Sequence, residues 1–192
     1  MEKVGVVFGG SRGIGKAVAQ LMAQKGYRLA IASRDLEAAG AAARDLGGNH
    51  LALRCDVAKE QDVQNAFEEI EKNLGRVNFL VNAAGINRDA LLLRTRTEDM
   101  VSQLHTNLLG SMLTCKAALK NMIQQQGGSI VNIGFILTDM TKGMSEEQLK
   151  KNIPLGRFGD PSDVAHAVVF LLESPYITGH VLVVDGGLQL LL

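Results

Sequence analysis

The sequence predicts an α/β fold, a parallel sheet with helices on both faces, and three features carry that prediction. Short apolar runs alternate with amphipathic stretches from Val4 onward. The first run, Val4–Phe8, passes straight into the glycine-rich turn Gly9-Gly10-Ser11-Arg12-Gly13-Ile14-Gly15. The chain of 192 residues is 46% hydrophobic, enough for one sizeable core, so a single domain over 1–192 is expected.

Each element follows from local pattern. After the strand Val4–Phe8, Ile14, Val18, Leu21 and Met22 recur at helical spacing, and Gly26 is placed to stop that helix. Arg28–Ala32 reads as the second strand. Asp35 stands where an N-cap should, before an alanine-rich helix ending at Gly47-Gly48. His50–Cys55 is the third strand; Val63, Phe67, Ile70 and Leu74 then form one helical stripe, with Gly75 beyond it. Val77–Val81 is the fourth strand, followed by a loop from Asn82 to Arg96 and a long helix over Thr97–Gln126. Ser129–Ile133 is the fifth strand. Further on, Ser145 and Gln148 have capping-box spacing, and Asp160-Pro161 opens a helix carrying Val164, Val168, Leu171 and Leu172. Val181–Val184 reads as the last strand, running into Asp185-Gly186-Gly187.

Composition excludes several partners. Lys plus Arg and Asp plus Glu number 20 each, and aromatics are 4%, so neither nucleic acid nor an anionic membrane is expected. Nothing reads as a membrane span or a cleavable leader. Cys55 and Cys115 fall on a strand end and in a helix, as reduced thiols in the core rather than a bridge. A reducing compartment is therefore expected.

The glycine turn between a strand and a helix suits a phosphate group. Its backbone admits close approach, and the helix offers unpaired N–H groups and the positive end of its dipole. Gly9-x-x-x-Gly13-x-Gly15, Asp56-Val57 after the third strand and Asn82-Ala83-Ala84-Gly85 after the fourth occur in the order and on the elements expected of a dinucleotide site. Together they resemble the short-chain dehydrogenase/reductases, of the type that reduces 3-oxoacyl-acyl-carrier-protein thioesters, over nearly the whole chain.

The resemblance implies a Rossmann-type doubly wound sheet and a phosphorylated dinucleotide, NADP(H). The turn residues Gly9, Ser11, Arg12, Gly13, Ile14 and Gly15 would hold the pyrophosphate. Asp56 and Val57 would contact the adenine, and Asn82, Ala83, Ala84 and Gly85 would support the adenosine side. Thr138 would meet the nicotinamide carboxamide. Asp56 as a helix cap and Asn82 as a turn-closing residue remain open alternatives. For the 2′-phosphate, Arg34 and Arg12 sit at the right corner, with Asp35 the rival that would select NADH unless it is spent as an N-cap.

The same resemblance implies hydride transfer to a carbonyl, a tyrosine that protonates its oxygen, a lysine four residues on, an orienting serine and a supporting asparagine. Asn107 matches the asparagine, and the Ser, Tyr and Lys have no counterpart. Tyr27 and Tyr176, the only tyrosines, read as structural; His180 cannot stand in for the lysine, and Ser129 lies at the wrong end of its strand. Val131-Asn132-Ile133-Gly134 runs directly into Phe135-Ile136-Leu137-Thr138-Asp139-Met140, a stretch resembling the segment beyond the family's sixth strand. A crossover helix and one strand are thus missing, consistent with a shortened form. The last strand must then move across to pair with the fifth, or leave a ladder unpaired.

Two readings stand. By lineage the chain is an NADPH-dependent reductase of 3-oxoacyl thioesters and related carbonyls in fatty-acid synthesis, in the mitochondrial matrix or, as runner-up, the cytoplasm. It would then work as a homo- or hetero-tetramer with a related reductase. By its own residues it is a non-catalytic variant that binds NADP(H), associates through its remaining surface, or folds poorly. The second is favoured for this chain.

Overall fold

Residues 3–88, 90–134 and 153–187 are described by the computed structural model. Among them, five parallel strands form one sheet in the order β3-β2-β1-β4-β5: β1 Val4–Phe8, β2 Arg28–Ser33, β3 Leu51–Arg54, β4 Val77–Asn82 and β5 Ser129–Asn132. The helices are α1 Gly13–Gln24, α2 Leu36–Asp45, α3 Glu60–Asn73, α4 Thr97–Gln103, α5 Gly110–Gln124 and α6 Pro161–Glu173. The predicted α/β class holds, with the sheet order reversing direction between β1 and β4.

Side-chain alternation along the strands divides the core into two layers. Val7, Leu29, Ile31, Phe79 and Val81 pack under α1, α2 and α6, whereas Val6, Phe8, Ala30, Ala32 and Leu80 pack under α3 and α5. Both faces of β1, β2 and β4 are therefore buried, which is why these strands read as near-continuous apolar runs.

Helix starts follow their caps. Asp35 Oδ1 accepts from the N–H groups of Glu37 and Ala38 at 2.9 and 3.1 Å, as its position in the sequence foretold. Asp160 accepts from Ser162 at 2.8 Å, and Asp163 closes the capping box. The Ser145 and Gln148 pair lies outside the described residues.

Three expectations are corrected. The long helix is divided: a π-helical turn over Leu104–Leu109 separates α4 from α5. A single-residue bulge of this kind leaves no mark on apolar spacing, because Leu104, Leu108 and Leu109 fit a helical stripe either way. Val181–Val184 forms no strand, and its side chains are 39–83% exposed. The tendency of a Val-Leu-Val-Val run to pair is unmet, and among the described residues β5 pairs with β4 alone. Tyr176 is fully exposed and so takes no part in packing.

Tyr27 is structural, as expected. Its ring meets Phe79 edge-on with centroids 5.3 Å apart, and its hydroxyl donates to Glu173 at 2.8 Å. Lys25 Nζ reaches the other Glu173 oxygen at 3.0 Å, so the end of α1 is tied to the end of α6. Burial, then the Glu173 hydrogen bond, pushes the Tyr27 pKa up to about 12. The Tyr27 and Lys25 hydrogen bonds hold Glu173 below the usual carboxylate range.

A second tie is internal. Asn82 is buried at the end of β4; its Nδ2 donates to Asn132 Oδ1 on β5 at 2.9 Å, and Thr114 of α5 donates to its Oδ1 at 2.8 Å. Asn82 is thus neither a turn residue nor exposed; it clamps β4, β5 and α5.

Asn82→Ala leaves Asn132 Oδ1 with only the Cys115 thiol at 3.7 Å as donor, while Thr114 can turn to the Gly110 carbonyl at 3.1 Å. Loss of about 1–3 kcal/mol is expected, read as a drop in Tm of about 2–4 °C per kcal/mol. The Glu173 tie sets a pH window. Its depressed folded pKa contributes stability above the unfolded carboxylate value that is lost as pH falls through the folded one, and Tyr27's raised pKa contributes below about 10 and is lost on approach to about 12. Glu173→Gln is expected to flatten the acid limb of a Tm-versus-pH curve relative to the parent.

Candidate functional site

A cleft of about 460 Å³ opens beyond the carboxyl ends of β1, β2 and β4. That is the switch point at which an open parallel sheet leaves a crevice, because the connections on either side of β1 and β4 run to opposite faces. Its floor is the turn after β1. Gly9 has φ +80°, and a Cβ there would lie 2.6 Å from the backbone of Ala83 and Ala84, so glycine lets the turn touch the segment after β4. Gly13, at φ +54°, faces open space with nothing within 4 Å of where a side chain would begin.

The start of α1 is distinctive. Its N-cap, Arg12, makes no side-chain capping bond, and its first turn holds no acidic residue. Of the described helices that begin from a loop, α2 and α6 are capped by Asp35 and Asp160, and α3 and α4 carry acids in the first turn. Among these, only α1 presents uncompensated N–H groups and dipole charge, and it presents them to the cleft. An anion is the chemical complement of that end.

Ser11, Arg12, Ile14, Gly15 and Arg34 line the same cleft, as do Val57, Ala83, Ala84, Gly85 and Asn107. Two arginines therefore line the cleft, Arg34 directly after β2. Ser33 fixes that corner: its Oγ accepts from Ser11 Oγ at 3.3 Å and from the Asp35 N–H at 3.2 Å. With its side chain committed to the cap of α2, Asp35 is absent from the lining. The donor set, two arginines and an uncapped helix start, fits a phosphorylated dinucleotide.

Two predicted residues lie elsewhere. Asp56 faces an adjoining groove with Arg34, Thr97 and His105. It does not cap α3, whose N-cap is Lys59; it accepts instead from the Ala58 N–H at 3.2 Å, and its own N–H donates to Asp62 at 3.0 Å. Asn82 braces the cleft from behind. Thr138 lies outside the described residues.

Asn107 sits on the π-helical turn and holds the loop after β4 in both directions. Its Oδ1 accepts from the Ile86 N–H at 2.8 Å and its Nδ2 donates to the Ile86 carbonyl at 2.8 Å. Sequence reasoning missed Ser33, Gln103, Thr106, Ser111, Ile133 and Gly134 in the lining. The π-helical turn carries Thr106, with Gln103 just before it and Ser111 just after, and no spacing rule announces it.

The ionisable side chains among the described lining residues are Arg12, Arg34 and Cys55. Burial foremost, then the charges of Asp62 and Asp56, pushes the Cys55 thiol up to about 12. Tyr27 is engaged with Glu173 at the far ends of α1 and α6, and Ser129, at the start of β5, donates to the Leu172 carbonyl at 3.3 Å. Neither Cys55 nor Cys115 is in a disulfide. Among the described residues no cluster suited to a metal ion occurs, and no helix is long and apolar enough to cross a membrane.

Residues 3–147 match the short chain dehydrogenase family, and residues 133–189 match a family described as enoyl-(acyl carrier protein) reductase. The chain is 65% identical to the 3-oxoacyl-[acyl-carrier-protein] reductase of Homo sapiens over 237 aligned positions that cover all of both chains. Carbonyl reductase family member 4 of Xenopus tropicalis is 54% identical over 235 positions covering 99% of each, and the Danio rerio protein of that name is 52% identical over all of both. Sheet order, glycine turn and cleft agree with these matches, and the chain belongs to the short-chain dehydrogenase family.

Proposed function

We propose that this chain binds NADP(H) by its adenosine and phosphate end and does not itself catalyse the reduction of 3-oxoacyl thioesters that its relatives' names describe. The observation that carries the proposal is the lining of the cleft: a phosphate-binding turn and two arginines, with no Tyr, Lys, His, Asp or Glu among its described residues and a Cys55 thiol pushed up to about 12.

The residues divide by role. The α1 N–H groups and the turn from Gly9 to Gly15 would hold the pyrophosphate, Arg12 and Arg34 the 2′-phosphate, and Ala83 to Gly85 the adenosine side. Thr138 would face the carboxamide. A bound nicotinamide supplies hydride chemistry; the proton for the carbonyl oxygen has to come from the protein. Asn107 is engaged with Ile86 on both sides of its amide and so shapes the cleft wall rather than donating to a substrate.

A shortened chain accounts for the deficit. The alignment with the human relative spans 237 positions against 192 residues here, so the relatives carry positions with no counterpart in this chain. The abrupt step from Gly134 to Phe135 and the unpaired Val181–Val184 both fit loss of a strand-crossover unit, roughly 30 residues or more, from beside β5. That unit would have brought the Tyr and Lys. The rival reading, a working reductase, draws on the names of the relatives, and turnover decides between the two.

Purified protein given NADPH and a 3-oxoacyl thioester is expected to oxidise no cofactor above the uncatalysed rate; turnover near that of a complete relative would refute the proposal. NADPH is expected to raise Tm, by mass action on the folded state, and an unchanged Tm at high NADPH would refute binding. Arg34→Ala is expected to weaken NADPH binding roughly 10- to 100-fold, the worth of one or two charge-assisted hydrogen bonds, and to leave NADH binding little changed. The assignment of the 2′-phosphate fails if that variant binds NADPH normally while Asp35→Ala abolishes NADH binding.

A further inference from the structure

We infer that His50 is a proton-operated latch on β3: its neutral ring holds the start of that strand to β2, and its protonated ring lets it go. The strand so held is the one that delivers Cys55 and Val57 to the cleft and Asp56 to the groove beside it.

The ring stands in for a rung of backbone. The Arg28 N–H donates to the Lys3 carbonyl and the Ala32 carbonyl accepts from Gly9, so alternate residues of β2 face β1. Leu29, Ile31 and Ser33 therefore face β3, and at the far end the Cys55 N–H donates to the Ser33 carbonyl at 2.9 Å. β3 begins only at Leu51, opposite Ala30. The N–H of Leu29, a fully buried residue, is thus beyond the start of the strand, and His50 Nδ1 accepts from it at 3.2 Å.

That bond fixes the protonation state. A neutral imidazole has one acceptor nitrogen, so with Nδ1 accepting from Leu29 the proton is on Nε2. A second proton would set Nδ1–H against the Leu29 N–H, donor against donor, and the ring has to leave. Its surroundings favour the neutral form: burial foremost lowers the His50 pKa, the Gly47 carbonyl opposes that shift, and the Arg28 charge on β2 adds to it. Arg28 also donates to the Asn73 carbonyl at the end of α3 at 3.2 Å. Residues 46–49 carry no charge, and at the end of α2 Asp45, next to Arg44, is paired with Lys16 at 2.7 Å. Because folding depresses this pKa, the latch is closed above the ordinary imidazole value of about 6.5 and opens as pH falls through the folded one. The loss begins well above the carboxylate range of Glu173.

The test is nuclear magnetic resonance of the isotope-labelled full chain from about pH 8 to about pH 5, reading the ring nitrogens of His50 and amide exchange corrected for its intrinsic pH dependence. At the alkaline end the ring is expected to carry its proton on Nε2, with Leu29 exchanging slowly. As the ring titrates, Leu29 is expected to exchange roughly 10- to 100-fold faster, the worth of one hydrogen bond to a buried N–H, with Cys55 following and Gly9, bonded to the other side of β2, unchanged. His50→Asn, whose Oδ1 can take the place of Nδ1 without titrating, is expected to keep Leu29 slow throughout, and His50→Ala to leave it fast throughout. The inference is overturned if Leu29 of the parent exchanges at one rate across the range, if His50→Asn keeps the parent's pH dependence, or if the proton is found on Nδ1 at the alkaline end. A Cys55 amide that stays slow while Leu29 opens would overturn the link from the latch to the cleft. Should His50→Ala fail to fold, the parent and His50→Asn decide between them.

Discussion

The contact on which the cleft depends is the close passage of Gly9 against the backbone of Ala83 and Ala84. It joins the turn after β1 to the segment after β4, at the place where the sheet order reverses. With no side chain between them, the two carboxyl ends meet, and the start of α1 is aimed over the gap. Uncapped N–H groups then face a pocket bordered by Arg12 and Arg34 rather than solvent at large. Asp35 contributes by being occupied elsewhere. A carboxylate free at that corner would oppose a phosphate; committed to the cap of α2, it leaves the arginines to set the local charge.

The other half of the molecule leaves an apolar segment outside the sheet. The residues of β5 are half-buried to exposed, unlike the fully buried β1. What is forgone is burial: Val181–Val184 stays exposed, where each such side chain would gain about 1.5–3 kcal/mol if fully covered. The core between β1, β2, β4 and their helices does not draw on that segment. Its closure rests on α6, which packs against α1 and is fastened through Lys25, Tyr27 and Glu173.

Much of this was legible in the sequence, for a physical reason. Parallel strands buried on both faces write themselves as apolar runs, and Val4–Phe8, Arg28–Ser33 and Val77–Asn82 lie within a residue of where those runs begin and end. Caps are local, so Asp35 and Asp160 could be read directly. The glycine turn could be read because its spacing between a strand and a helix is itself the local geometry. Pairing partners are not local. Val181–Val184 has the residues of a strand but pairs with none among the described residues, and which of the two offered outcomes it takes, pairing with β5 or staying unpaired, is decided by parts of the chain far from it. The π-helical turn at Leu104–Leu109 was hidden for a related reason: one extra residue in a turn re-aims Asn107 without altering the apolar stripe. Asn82 was open between supporting the adenosine side and closing a turn, and only the packed structure reveals its amide between Thr114 and Asn132.

In the proposed binding mode, affinity for the dinucleotide comes from its adenosine and phosphate end, with the nicotinamide end unsupported. Calorimetric titration with NADPH and with 2′-phospho-ADP-ribose, which lacks the nicotinamide, measures this directly. The two ligands are expected to bind within about threefold of each other, a difference below about 1 kcal/mol. Binding of NADPH roughly a hundredfold or more tighter would show a formed nicotinamide pocket and contradict that binding mode.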